Sequence, residues 1–122
     1  MLNYNSYLDR MIVVVNKYLL SKGFLGISLW PFIIVRHQNL KKDQVFLNHE
    51  RIHLRQQAEM LVLPFYLWYT LEFFLKLLIY KNALVAYRNI SFEREAYMNE
   101  KDPDYCRRRK FWNFTRYLRR GK

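Results

Sequence analysis

The sequence predicts a mainly α-helical domain of the α+β class with a small β element towards its N-terminal side. Three observations lead there. Of 122 residues, 52% are apolar and 18% aromatic, while glycine and proline number only three each, so the chain has ample core material and few breaks, which excludes disordered and collagen-like classes. Most of the chain after Asp43 has apolar residues at three-and-four spacing, the helical period. One run, FLGISLWPFIIV at residues 24–35, is instead rich in β-branched and aromatic residues, as strands are.

Taken in order, residues 8–20 place Met11, Val14, Val15, Tyr18 and Leu19 at helical spacing, which predicts an amphipathic helix stopped by Gly23. Residues 24–35 predict one or two strands, with Pro31 placing its strand at an edge or a bulge. Asp43 predicts the N-cap of a long helix through HERIHLRQQAEML, kinked or ended by Pro64. Residues 65–80 are almost continuously apolar, with Glu72 and Lys76 spaced as an i,i+4 ion pair. Sixteen helical residues reach about 24 Å, short of the roughly 30 Å of bilayer hydrocarbon, so a buried core helix is expected in preference to a membrane-embedded one. Residues 82–87 predict a short helical turn and Ser91 the N-cap of a helix over FEREAYMNEK. Pro103 separates that helix from a basic amphipathic terminal helix at about 104–119. No repeat or linker divides the chain, and one domain over residues 1–122 is expected.

The formal net charge is +11, unevenly spread. Residues 101–122 hold nine Lys and Arg against Asp102 and Asp104, a net +7. The chain has one cysteine, Cys106, so no internal disulfide is available. Its first residues lack a signal-peptide pattern, and a cytoplasmic location with membrane association through the basic terminal helix is expected. That helix suits a core-docked segment, an anionic membrane surface or, less well, nucleic acid.

Chemistry concentrates at residues 49–53, His-Glu-Arg-Ile-His. Two histidines four apart on a helix lie on one face about 6 Å apart, so both imidazoles reach one ion, and Glu50 projects towards a water in the open coordination position. A carboxylate there takes the water's proton as it attacks a carbonyl. Two histidines need a third ligand. Glu59 is turned away from His53 by about 240° of helix. Glu72 reads as the partner of Lys76. A glutamate from a second helix, Glu93 or Glu95, completes the site most naturally. Gln56, three residues after His53, faces either the ligands and substrate or solvent. Tyr97 and Tyr87 are candidates for stabilising an oxyanion, or else packing residues. His37 reads as a loop residue and Cys106 as an ordinary one.

NHERIHLRQQ followed about forty residues later by FEREAY resembles the gluzincin branch of zinc metallopeptidases, including small minigluzincins and membrane-bound relatives. The resemblance covers about residues 28–97 and implies a zincin-like fold in which the HExxH helix and a glutamate helix pack together. It implies Zn2+ as cofactor, held by His49, His53 and Glu93, the glutamate three before Ala96. Glu50 is then the general base, and Glu95 a residue behind the ligands or at the surface. It also implies that the strand LWPFIIV binds an extended peptide or protein substrate at its edge. Tyr97 stands where the membrane-bound members have Asp. The expected activity is peptide-bond hydrolysis by metal-activated water. The alternatives are a non-catalytic zinc-fold binding protein, or a basic membrane or nucleic-acid adaptor in which HExxH is incidental.

Overall fold

A computed structural model describes residues 12–20 and 24–119. Three short strands, β1 (Ile12–Val15), β2 (Gly26–Leu29) and β3 (Phe32–Val35), form one sheet in the order β1-β3-β2. β1 runs parallel to β3, pairing Val13 with Ile33, and β2 is antiparallel, pairing Ser28 with Ile33. The expected helix over residues 8–20 is therefore not formed where it can be seen. Residues 12–15, IVVV, are all β-branched, and they gain more by pairing on the central strand than from a helical turn that restricts their side chains. Gly23, its expected stop, lies outside the described residues.

The 24–35 run does form two strands. Pro31 lies in neither of them. It occupies the tight turn between β2 and β3 after a cis Trp30–Pro31 peptide, where its missing N–H leaves no ladder position empty. Ile33 and Val35 of the central strand are fully buried against Leu54. β2 approaches the next helix so closely that a Cβ at Gly26 would lie 2.4 Å from the Phe46 ring.

Helix α1 (Gln44–Met60) starts at Asp43, whose carboxylate accepts from the Phe46 N–H at 3.0 Å. It ends at Leu61, which adopts φ 68°, three residues before Pro64. A helix continued to Pro64 would lose the bond to Met60 and drive the pyrrolidine ring into that carbonyl. The break at Leu61 instead places Pro64 in the first turn of α2 (Val62–Tyr80), where no N–H is required.

α2 is not the buried core helix that its composition suggests. Only Phe65 and Glu72 are buried along it. Nor does Glu72 pair with Lys76: its carboxylate accepts from the Ser91 N–H, the Ser91 hydroxyl and the Trp68 indole. The short α3 (Ala83–Arg88) is capped by Asn82. α4 (Ser91–Asn99) follows with Ile90 at its N-cap. Ser91 is thus the first helical residue and not the cap, because Glu72 takes its N–H and hydroxyl.

The expected terminal helix does not form as one piece. α5 spans only Tyr105–Arg108, and a separate 3-10 turn covers Asn113–Tyr117. The chain bends between them because Arg109 and Phe114 are both drawn inward. Phe114 joins Phe65, Ile90, Phe92 and Met60 in the main apolar cluster, and a fully buried aromatic of this kind contributes roughly 3 kcal/mol. A second cluster, Ile52, Ala96, Tyr105 and Cys106, fixes α4 against α1.

Candidate metal centre

The helix period and the α1–α4 packing together build the site. His49 and His53 stand one turn apart on the buried side of α1, ring centroids 4.8 Å apart, and α4 brings Glu93 opposite them. The Nε2 atoms of the two histidines are 3.2 Å apart, and Glu93 Oε1 is 3.1 Å from each. All three residues are buried, and they form a group close enough to hold a metal ion.

The surrounding hydrogen bonds determine which atoms face inward. Gln56 donates its amide N–H bonds to the Phe92 carbonyl at 3.1 Å and Glu95 Oε1 at 2.9 Å, so its oxygen is left to accept from His53 Nδ1 at 2.8 Å. Glu100 Oε2 lies 2.7 Å from His49 Nδ1. With both Nδ1 atoms donating to acceptors, the ring protons are on the outer nitrogens and the Nε2 lone pairs converge. Two lone pairs and a carboxylate within about 3 Å of one another require a positive charge between them. A tetrahedral cation with bonds near 2.1 Å would hold its ligand atoms roughly 3.4 Å apart, within a few tenths of an ångström of the spacing here, so the donor set fits a divalent ion such as zinc. A proton is the other solution. Burial pulls the His53 imidazole down, but the charge and hydrogen bonds of Glu93 outweigh it and leave His53 at about 9. Burial pushes the Glu93 carboxyl up, and the two histidines reverse this and hold it below the ordinary carboxylate range.

Of the two open candidates, Glu93 meets the histidines and Glu95 does not. Glu95 is fully buried behind them, accepting from Gln56, from the Tyr105 hydroxyl at 2.5 Å and from two nitrogens of Arg109. Arg109 also donates to Glu59 at 2.6 Å, and its side chain is only 2% exposed. Gln56 is buried and faces His53, not solvent. A continuous chain of bonds therefore runs from His53 through Gln56 and Glu95 to the C-terminal segment.

Glu50 is also buried and lines, together with His53 and Glu93, a cavity of about 410 Å³. The Ser28 hydroxyl donates to Glu50 Oε2 at 2.5 Å. Tyr87 borders the same cavity. Burial, then the Glu93 charge, pushes its phenol well above the ordinary tyrosine range, so it remains an O–H donor. Tyr97 stands edge-on to His49 at 4.5 Å with the Arg88 guanidinium 4.4 Å from its own ring, and it lines a second cavity that His49, Glu50 and Tyr87 also border.

Sequence reasoning assigned no role to Ser28 or to four further contributors. Glu100 is seven residues after Glu93, hence on nearly the same helical face, and that spacing was a usable signal. Tyr69 donates to Glu93 Oε2 at 2.7 Å, a contact between helices that no local pattern announces. Gln57 donates to the Ser28 carbonyl at 2.9 Å and accepts from the Trp30 N–H at 2.7 Å, clamping β2 onto α1. The Tyr66 hydroxyl also donates to the Ser28 carbonyl. Since the Leu25 carbonyl accepts from the Arg36 N–H at the end of neighbouring β3, alternation turns the backbone of Gly26 and Ser28 towards the open edge. The Ser28 carbonyl on that edge is thus already taken.

Comparison of the chain with protein-family models, curated proteins and solved structures finds no match.

Proposed function

We propose that this chain is a zinc-dependent metallopeptidase. The observation that carries the reading is the convergence of the two histidine Nε2 atoms and the Glu93 carboxylate at the wall of a cavity that Glu50 also lines. The gluzincin-like pattern of residues 49–53 and 93–96 supports it. Zinc bound by His49, His53 and Glu93 would supply Lewis acidity and an acidified water.

The chain's own residues have distinct tasks in this reading. Glu50 accepts a proton from the attacking water and delivers it to the leaving amine. Ser28 holds the Glu50 carboxylate towards the cavity until substrate enters. Tyr87, kept protonated, donates towards the developing oxyanion. Gln56 and Glu100 fix the rings of His53 and His49, and Tyr69 fixes Glu93. The cavity wall is largely apolar, with Leu20, Ile27, Phe65 and Phe73 among its residues, so the favoured substrate carries a large apolar side chain beside the scissile bond.

One observation favours a second reading, a zinc-fold binding protein without hydrolytic activity. Gln57 and Tyr66 hold the Ser28 carbonyl, which an added substrate strand would need. Metal analysis and hydrolysis of apolar fluorogenic peptides separate the two. The peptidase reading expects about one zinc per chain, loss of zinc in His49→Ala, and retained zinc with activity reduced at least 100-fold in Glu50→Gln. Zinc without hydrolysis in the wild type would leave the binding reading, and no zinc in protein purified without chelators would remove both.

A further inference from the structure

We propose that the outer face of α2, extended by the aromatic residues of the C-terminal segment, seats on an anionic lipid bilayer surface. Leu63, Leu67, Leu71, Phe74 and Leu78 recur at three-and-four spacing along about 22 Å of helix. They stay outside the fold: Leu63 is 70% exposed, Leu67 64% and Leu78 75%. With Leu75 and Ile79 beside them, they form a patch on the order of 700 Å², above what a soluble monomer ordinarily shows. The two charges of the helix avoid this face, Glu72 being buried on the inner side and Lys76 half-buried.

The C-terminal segment lies next to this patch. Trp68 of α2 packs on Phe114 with ring centroids 5.4 Å apart, and Trp112 packs on Phe114 at 5.7 Å. Phe111 and Trp112 are left exposed, with Lys110, Arg116 and Arg119 exposed around them. An apolar band bordered by cations matches the interior and headgroups of an anionic leaflet. The same charge argues against a second copy of the chain as the occupant, since it would set +11 against +11. The inner side of α2 carries Phe65, Tyr69 and Glu72 into the protein, so the helix lies along the surface and does not cross it. Phe74 is on the seated face and also lines the cavity beside Glu50, which directs that cavity towards the lipid.

Flotation of the full chain with vesicles of phosphatidylcholine alone, and of phosphatidylcholine with one third phosphatidylglycerol, tests this. The wild type is expected to float with the anionic vesicles at low salt. Leu67→Gln/Leu71→Gln/Leu78→Gln should keep its circular dichroism spectrum and lose binding at least 10-fold. Arg116→Gln/Arg119→Gln should lose about fivefold per charge on anionic vesicles and change little on neutral ones. His49→Ala should float like the wild type, so the result is independent of the metal site. A wild type that stays in solution with both vesicle types would overturn the proposal, whether it sediments as a monomer, as a dimer that the glutamine variant splits, or bound to added duplex DNA.

Discussion

The α1–α4 interface and the outer face of α2 invert the usual distribution of polarity. Between α1 and α4 the chain buries Gln56, Glu93, Glu95 and both histidines of the motif. Along α2 it leaves leucines and a phenylalanine outside. Burying polar groups costs free energy unless each finds partners, and here they do: Gln56 bridges His53 to Glu95, and Glu95 is closed off by Arg109 and Tyr105. The difference teaches that this small chain spends its interior on orienting a site. Its surplus apolar area is left on the outer face of α2.

The comparison can be broken most severely at Arg109. Arg109→Met would leave Glu95 and Glu59 as uncompensated carboxylates, and a loss of about 3–5 kcal/mol in stability is expected by urea denaturation. A change below about 1 kcal/mol would show that the interior network does not hold the C-terminal segment. Next is Gln56→Leu, which keeps the volume but frees the His53 ring. Zinc affinity measured by competition with a chromophoric chelator should fall 10–100-fold while the fold persists.

The pH dependence of the metal-free protein sharpens the same side. His53 is raised from 6.5 to about 9, so its contribution to stability is fully present below about pH 6.5 and is lost as pH rises through 9. Chelated protein should therefore melt at a lower temperature at pH 9.5 than at pH 6.5. Zinc-loaded protein should not follow this fall, because its ligands bind deprotonated. The smallest effect belongs to the outer face. Leu67→Gln and Leu78→Gln remove only exposed apolar area and should change stability in water by no more than about 0.5 kcal/mol; a loss of 2 kcal/mol would mean that the face is covered within the protein.

Much of the site was legible in the chain because it follows the helix period. His49, Glu50 and His53 share a helix whose N-cap, Asp43, is also readable, and FEREAY announces a second helix able to bring up a glutamate. Other features depended on what lies across the interface. Gln56 reads equally as a solvated residue until Phe92 and Glu95 close over it. Glu72 and Lys76 have ideal spacing for an ion pair, yet Ser91 and Trp68 offer Glu72 donors on the inner side of the helix that half-buried Lys76 does not displace. The basic tail reads as one amphipathic helix until Arg109 finds Glu95 and Glu59 and bends it.

The sequence by itself determined the α+β class, the β character of the 24–35 run, the long helices and the one-turn spacing of the two histidines. All of these are local properties of backbone preference and side-chain period. Tertiary structure alone decided that residues 12–15 join the sheet and that α2 keeps its leucines outside, and it brought Glu93, which the motif pattern implied but helix geometry left open against Glu95, to His49 and His53. Each of those outcomes is a competition between partners distant in sequence, settled by which polar groups can be satisfied and which apolar faces find a surface to bury against.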